Sequence, residues 1–160
     1  MNTQAIYHLS LVTHIVGLTL MAGTTLVEFI VFKKFRKMVE TDHSKGITIL
    51  ESISRLPSLL GIGIILLIIS GVSMMAITHG AFGEQIWFRI KFGLVIIIIV
   101  NGLAIGRRQR IKLSKLLNET ASGSLIDSRL SKLEKNIGNF HFVQLALFLA
   151  VFVLSVFKFN

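Results

Sequence analysis

Apolar residues fall in four long blocks along this chain, at about 5–32, 56–77, 86–105 and 140–157, separated by polar and strongly basic stretches. At ~1.5 Å rise per residue, a helix over each block reaches across a hydrocarbon core of ~30 Å. Strands are set aside, because an open sheet cannot satisfy its backbone in lipid. The pattern predicts an all-α, four-transmembrane-helix bundle, a single integral membrane domain over residues 1–160.

Inside the first block, Tyr7, His14, Met21 and Glu28 recur every seven residues. Seven residues is nearly two helical turns, so the four share one stripe. An ionisable group in hydrocarbon costs several kcal/mol unless it is paired, neutralised or wetted, so the stripe should face the bundle interior. Lys33 and Lys34 follow Glu28 closely and suggest an interfacial position for it, near water. The bland reading is a helix–helix seam with a neutral, hydrogen-bonded histidine.

The chain is 160 residues long, 52% hydrophobic, with a mean hydropathy of +0.74. Its net charge of +9 is set by placement. Lys33, Lys34, Arg36, Lys37, Lys45 and Arg55 lie between blocks 1 and 2. Arg107, Arg108, Arg110, Lys112, Lys115, Arg129, Lys132 and Lys135 lie between blocks 3 and 4. Together these are 14 of the 17 basic residues. The positive-inside rule makes segments 33–55 and 106–139 cytoplasmic loops and puts both termini on the outer, periplasmic side. The charge is thus accounted for by topology and anionic lipid, with no nucleic-acid partner. The expected location is the bacterial inner membrane. No cysteine is present, so disulfides and thiolate sites are excluded. The first block is too long for a signal-peptide core and lacks basic residues before it, so it reads as a retained helix.

Local signals refine this picture. Leu113, Leu116, Leu117, Leu125, Ile126, Leu130 and Leu133 alternate with charges, so helices 3 and 4 should project beyond the membrane. Thr120-Ala121-Ser122-Gly123-Ser124 reads as the turn between them, with Ser124 as a helix cap. Pro57 suits the first turn of helix 2, where a missing N–H costs least. Gly61, Gly63 and Gly71 with Ser70 and Ser73 permit close helix approach.

Sorted by depth, the polar residues form two groups. Tyr7, His8, His14, His79, Trp87, Arg89 and Lys91 fall on the outer side, and Glu28, Asn101, His141 and Gln144 on the inner side. Arg89 and Lys91 are about 200° apart around a helix. One should snorkel to the headgroups and the other point inward. His141, Gln144, Phe148, Phe152 and Ser155 are expected on one stripe of helix 4. An imidazole facing an apolar cavity beside a cation suits a b-type haem, with His14 as the ligand of best depth. Neither His8 nor His79 is an obvious second ligand. Met74-Met75 near His79 is a weaker pointer to a soft metal.

Several motifs together resemble the HemJ-type protoporphyrinogen oxidases and the CopD-like group of four-helix membrane proteins. His14 is followed by Met21-Ala22-Gly23, one residue closer than in that family's pattern. Arg55-Leu56-Pro57 enters helix 2, which contains Ser70-Gly71, and Trp87-Phe88-Arg89-Ile90-Lys91 opens helix 3. Gly106-Arg107 closes helix 3, and Phe157-Lys158-Phe159 is similar to a terminal Lys-Pro-Phe. The chain departs from the pattern at the helix-1 Pro-Arg, where apolar residues and Glu28 stand, and at the helix-3 His, where Asn101-Gly102 stands. The resemblance implies haem b near His14 and electron transfer to quinone or a respiratory-chain partner. It carries over His14, Trp87 and Lys91.

The leading expectation is a haem-b-binding membrane redox protein, an oxidoreductase, with His14 on the iron, Lys91 or Arg89 as the pocket cation and Trp87 as a wall. The alternative is a cofactor-free transporter or accessory subunit acting through Glu28, Asn101, His141 and Gln144. A third reading is a homo-oligomerising module that uses the helix-2 glycines.

Overall fold

The computed structural model describes residues 2–39, 41, 45, 48–49, 56–81, 83–118 and 124–157, and these contain no strand. The helices are α1 (Thr3–Val39), α2 (Leu56–Ile77), α3 (Ile86–Asn101), α4 (Arg107–Asn118) and α5 (Ser124–Val156), with a π-helical turn, Gly102–Gly106, joining α3 to α4. Among the described residues, Thr3–Phe35, Leu56–Ile77, Ile86–Leu113 and Ser131–Val156 are long and apolar enough to cross a membrane. Among the described residues, parts of segments 33–55 and 106–139 are helix. α1 runs on to Val39, and α3 continues through the π turn into α4. α5 starts at Ser124, the position expected to cap it; the preceding turn residues lie outside the described ones.

α1 packs most extensively against α2 and also against α5, and α3 packs against α5. The α2 and α3 backbones stay further apart although a short turn joins them, and their side chains meet in the central core. The α1–α2 seam is glycine-built. A Cβ added at Gly17 would lie 2.9 Å from the Gly63 carbonyl oxygen and 2.9 Å from the Leu67 amide nitrogen. One added at Gly63 would meet Met21 Cγ at 2.8 Å. In lipid, where burial from water no longer drives association, such close approach supplies the packing attraction. Gly63 and Gly71 are thus engaged within the chain, against α1, which leaves the oligomerisation reading with Gly61 alone.

Polar and apolar groups alternate in layers along the bundle. Leu18, Met21, Ile64, Leu67, Ile98, Phe148 and Val151 form a central apolar core drawn from all four spans. Phe32, Phe35, Leu113 and Ile137 form a second apolar cluster at the basic end, where α1, α4 and α5 project together. On α5 the buried stripe is His141, Gln144, Phe148 and Val151, while Phe152 is 45% exposed. The three–four alternation of a packed seam selects 151 over the expected 152.

The α2–α3 turn explains His79. Gly80 N–H donates to Met75 O (3.0 Å) and His79 N–H to Ala76 O (3.3 Å), the paired bonds of a Schellman cap. His79 takes the left-handed position of that cap with φ 50° and points to solvent. Its role is to end α2.

Candidate functional site

The layer at the terminal end is built around His14. Its half-buried ring lies in the α1–α2 seam, with Nδ1 3.0 Å from Ser70 Oγ. The Ser70 hydroxyl has a single proton, and its 2.6 Å approach to Leu66 O takes it. His14 Nδ1–H therefore donates to Ser70 Oγ. In the neutral ring the lone pair then sits on Nε2, the tautomer fixed by the bond on the other nitrogen. Gly71 lies beside the ring, where an added Cβ would make ordinary contact with His14 Cε1 at 3.7 Å.

α3 settles the choice between its two cations. Trp87, Lys91, Leu94 and Ile98 share the inward stripe of α3, and the Lys91 ammonium lies within electrostatic range of His14. Arg89 is exposed, and its Nε donates to Gly83 O at 2.9 Å, so it braces the turn and does not join His14. Trp87 is buried, its indole N–H donating to Gln85 Oε1. His8 is exposed and sits edge-on to Tyr7, away from the seam. Among the described residues no group of three or more His, Cys, Asp or Glu could hold a metal ion.

The layer at the basic end is larger. Asn101 Nδ2 donates to Gln144 Oε1 (2.9 Å), and Gln144 Nε2 donates to Ile98 O (2.9 Å), tying α5 to α3. This tie falls where the α3 ladder widens into the π turn. Such a turn disturbs the regular pairing of nearby carbonyls, and the Gln144 amide supplies a donor there. His141 is buried against the rings of Phe29, Phe32 and Phe140, at centroid distances of 6.2, 6.0 and 5.2 Å. Glu28 is 4% exposed, so its side chain is covered by the surrounding helices. α1 continues past it, and Phe32 and Phe35 pack in the second apolar cluster, between Glu28 and the helix end. Lys33 lies over the Phe29 ring at 4.6 Å with its head exposed, as a snorkelling cation does.

Beside Glu28 lies a cavity of about 410 Å³. Thr25, Glu28, Phe140 and Gln144 form its back, from α1 and α5. Pro57 and Leu60 of α2 form one side, and Leu103 and Arg107 with the π turn form the other. Thr25, Arg107 and the π turn are the parts of this site that the sequence reading did not single out. A hydroxyl one turn before Glu28, and glycines at both ends of residues 102–106, were the available signals.

Four apolar spans around two internal polar layers define an integral membrane protein of the helical-bundle class. The chain belongs to the family described as predicted integral membrane protein (DUF2269), whose model matches residues 9–159. No curated protein and no solved structure matches it.

Proposed function

We propose that this protein is a haem-b-binding membrane redox protein with His14 as an axial ligand. The observation that carries the reading is the Ser70–His14 hydrogen bond, which leaves Nε2 as the donor atom an iron needs. Among the described residues, one imidazole of this kind fits the group. Among the described residues no second histidine accompanies it, because His8 and His79 are exposed and His141 lies in the other polar layer. Ser70 holds the ring orientation and tautomer. Lys91 offers a cation for a propionate or another anionic group of the ligand, and Trp87 a buried wall. A bound haem would supply one-electron transfer, with quinone or a respiratory-chain component as partner. The motif resemblance to the HemJ-type and CopD-like proteins supports the same reading. The basic end then faces the cytoplasm and the termini the periplasm of a bacterial inner membrane, as the positive-inside rule requires.

The test is an absorption spectrum of the detergent-purified protein from haem-replete cells, oxidised and then reduced with dithionite. A Soret band that shifts on reduction is expected. His14→Ala should abolish it with helix content unchanged, and Ser70→Ala should weaken haem retention about ten-fold or more. No Soret band in the parent protein, or full pigment in His14→Ala, overturns the reading. A second reading, a cofactor-free transporter or accessory subunit, is favoured by the cavity beside Glu28. It requires a colourless protein and a solute flux in proteoliposomes that Glu28→Gln alters.

A further inference from the structure

We infer that the cavity at the basic end is a laterally entered binding site for an amphiphile with a neutral, oxygen-bearing head. The inference is independent of the haem reading, and it gives the cavity reading its ligand class. Three observations converge on it.

The first is the route in. Among the described residues the backbone of α2 approaches α1 most closely, and its side chains meet α3 in the central core. Toward the basic end the cavity has α2 on one side and the π turn with α4 on the other. The side between them carries exposed residues and so opens toward the lipid-facing surface. Pro57, Leu103 and Ile111 are exposed there, an apolar doorway suited to a hydrocarbon tail.

The second is the gradient of polarity. The deep wall carries the buried Thr25, Glu28 and Gln144, while Arg107 is exposed at the edge. A head that reaches the deep wall must leave its water behind. For an ionised phosphate that cost is several kcal/mol, and a buried acid at the end of the route raises it whenever it is charged. A neutral head bearing hydroxyl or carbonyl oxygens avoids both penalties and can use the second Nε2 proton of Gln144 as donor and the Thr25 hydroxyl oxygen as acceptor, beyond their bonds to Ile98 O and Met21 O.

The third is size. Small-molecule pockets run from roughly 300 to 1,000 Å³. At about 410 Å³ the cavity matches a single ring or a glycerol head with the first carbons of its tail. The π turn supplies part of this wall, and such turns recur at ligand sites because they displace a backbone segment from the regular helix surface.

Two sources share this chemistry, a quinone-type ring and a diacylglycerol-type glyceride. The experiment uses the full chain in phosphatidylcholine nanodiscs with two photoreactive probes, a decyl-substituted benzoquinone and a dioctanoylglycerol. Crosslinks are mapped by mass spectrometry. The expected result is saturable labelling by one or both probes on the segments around Thr25–Glu28, Leu60, Leu103 and Gln144, and the probe that labels identifies the source. Leu103→Trp narrows the doorway at a lipid-facing position, so it leaves the fold intact. It should reduce labelling at least ten-fold, and Glu28→Gln at least five-fold. Labelling that spreads over the lipid-facing surface, that ignores Leu103→Trp, or that phosphatidylglycerol displaces at lower concentration than the unlabelled probes do, overturns the inference. Binding is read at equilibrium without flux. Loss of transport would therefore leave the site standing, and loss of binding would remove it whatever the flux.

Discussion

Gly17→Ala tests whether the α1–α2 seam sets the geometry of the His14 layer. The added Cβ would lie 2.9 Å from both the Gly63 carbonyl oxygen and the Leu67 amide nitrogen, where ordinary contact begins at 3.4 Å. Both neighbours are backbone, so neither can swing aside, and the helices must part by about 0.5 Å, the shortfall in that contact. Overpacking of this kind costs about 1–3 kcal/mol, and two backbone clashes place it in the upper half of that range. Alanine recovers about 1 kcal/mol of helix propensity over glycine. The net expectation is a loss of about 1–2 kcal/mol. His14 stands one turn before Gly17, so the same parting strains its 3.0 Å bond to Ser70. The matched control is Gly61→Ala on α2, where a Cβ meets nothing within 4 Å and stability should hold or rise. Equilibrium unfolding in mixed dodecylmaltoside and SDS micelles reads both. If Gly17→Ala is as stable as Gly61→Ala, the close approach is not what holds α1 to α2, and the account of the seam is wrong.

Two further outcomes follow from the hydrogen-bond geometry. Gln144→Leu removes the donor to Ile98 O and the acceptor from Asn101, and should cost about 1–2 kcal/mol in the same assay, since interhelical bonds in membranes average about 0.6 kcal/mol and reach about 1.7; adding Asn101→Leu should recover part of the loss, because the stranded amide is gone. His79→Gly relieves a left-handed residue in the α2 cap and should stabilise by about 0.5–1 kcal/mol, read as a higher thermal unfolding midpoint; a decrease would mean that the His79 side chain does more than cap.

The four spans were readable because lipid imposes one rule on every backbone group, so length and apolarity suffice to find a helix. Depth and partner were less readable, because they depend on neighbours far away in sequence. Lys33 and Lys34 beside Glu28 gave no sign that its side chain is covered by the bundle, with a phenylalanine pair between it and the end of α1. Arg89 and Lys91 could be told apart as opposites from helical phase alone. Which of them turned inward needed the stripe shared with Trp87 and Ile98 and the capture of Arg89 by Gly83. The π turn had no local signature strong enough to predict, since Gly102 and Gly106 permit it but the tie from Gln144 on α5 accompanies it. The pairing of His14 with Ser70 was within reach in retrospect, because antiparallel helices joined at Gly17 and Gly63 bring positions near 14 and 70 together.

The seven-residue stripe on α1 reaches both polar layers, and the mismatch between 3.5 and 3.6 residues per turn explains how. A straight helix drifts about 20° per heptad away from such a repeat. From His14 to Glu28 that is about 40°, enough to carry the stripe away from one neighbouring helix and toward the next. His14 accordingly meets Ser70 on α2, and Met21 sits against Gly63 of α2 within the central core. Glu28 arrives at the cavity whose back wall is shared with α5, beside Phe29 and its contact with His141. The drift thus gives one helix two chemically separate faces, divided by the apolar core at Leu18 and Met21. A ligand at His14 and a solute at Glu28 would therefore occupy different ends of one bundle, with the apolar core at Leu18 and Met21 between them.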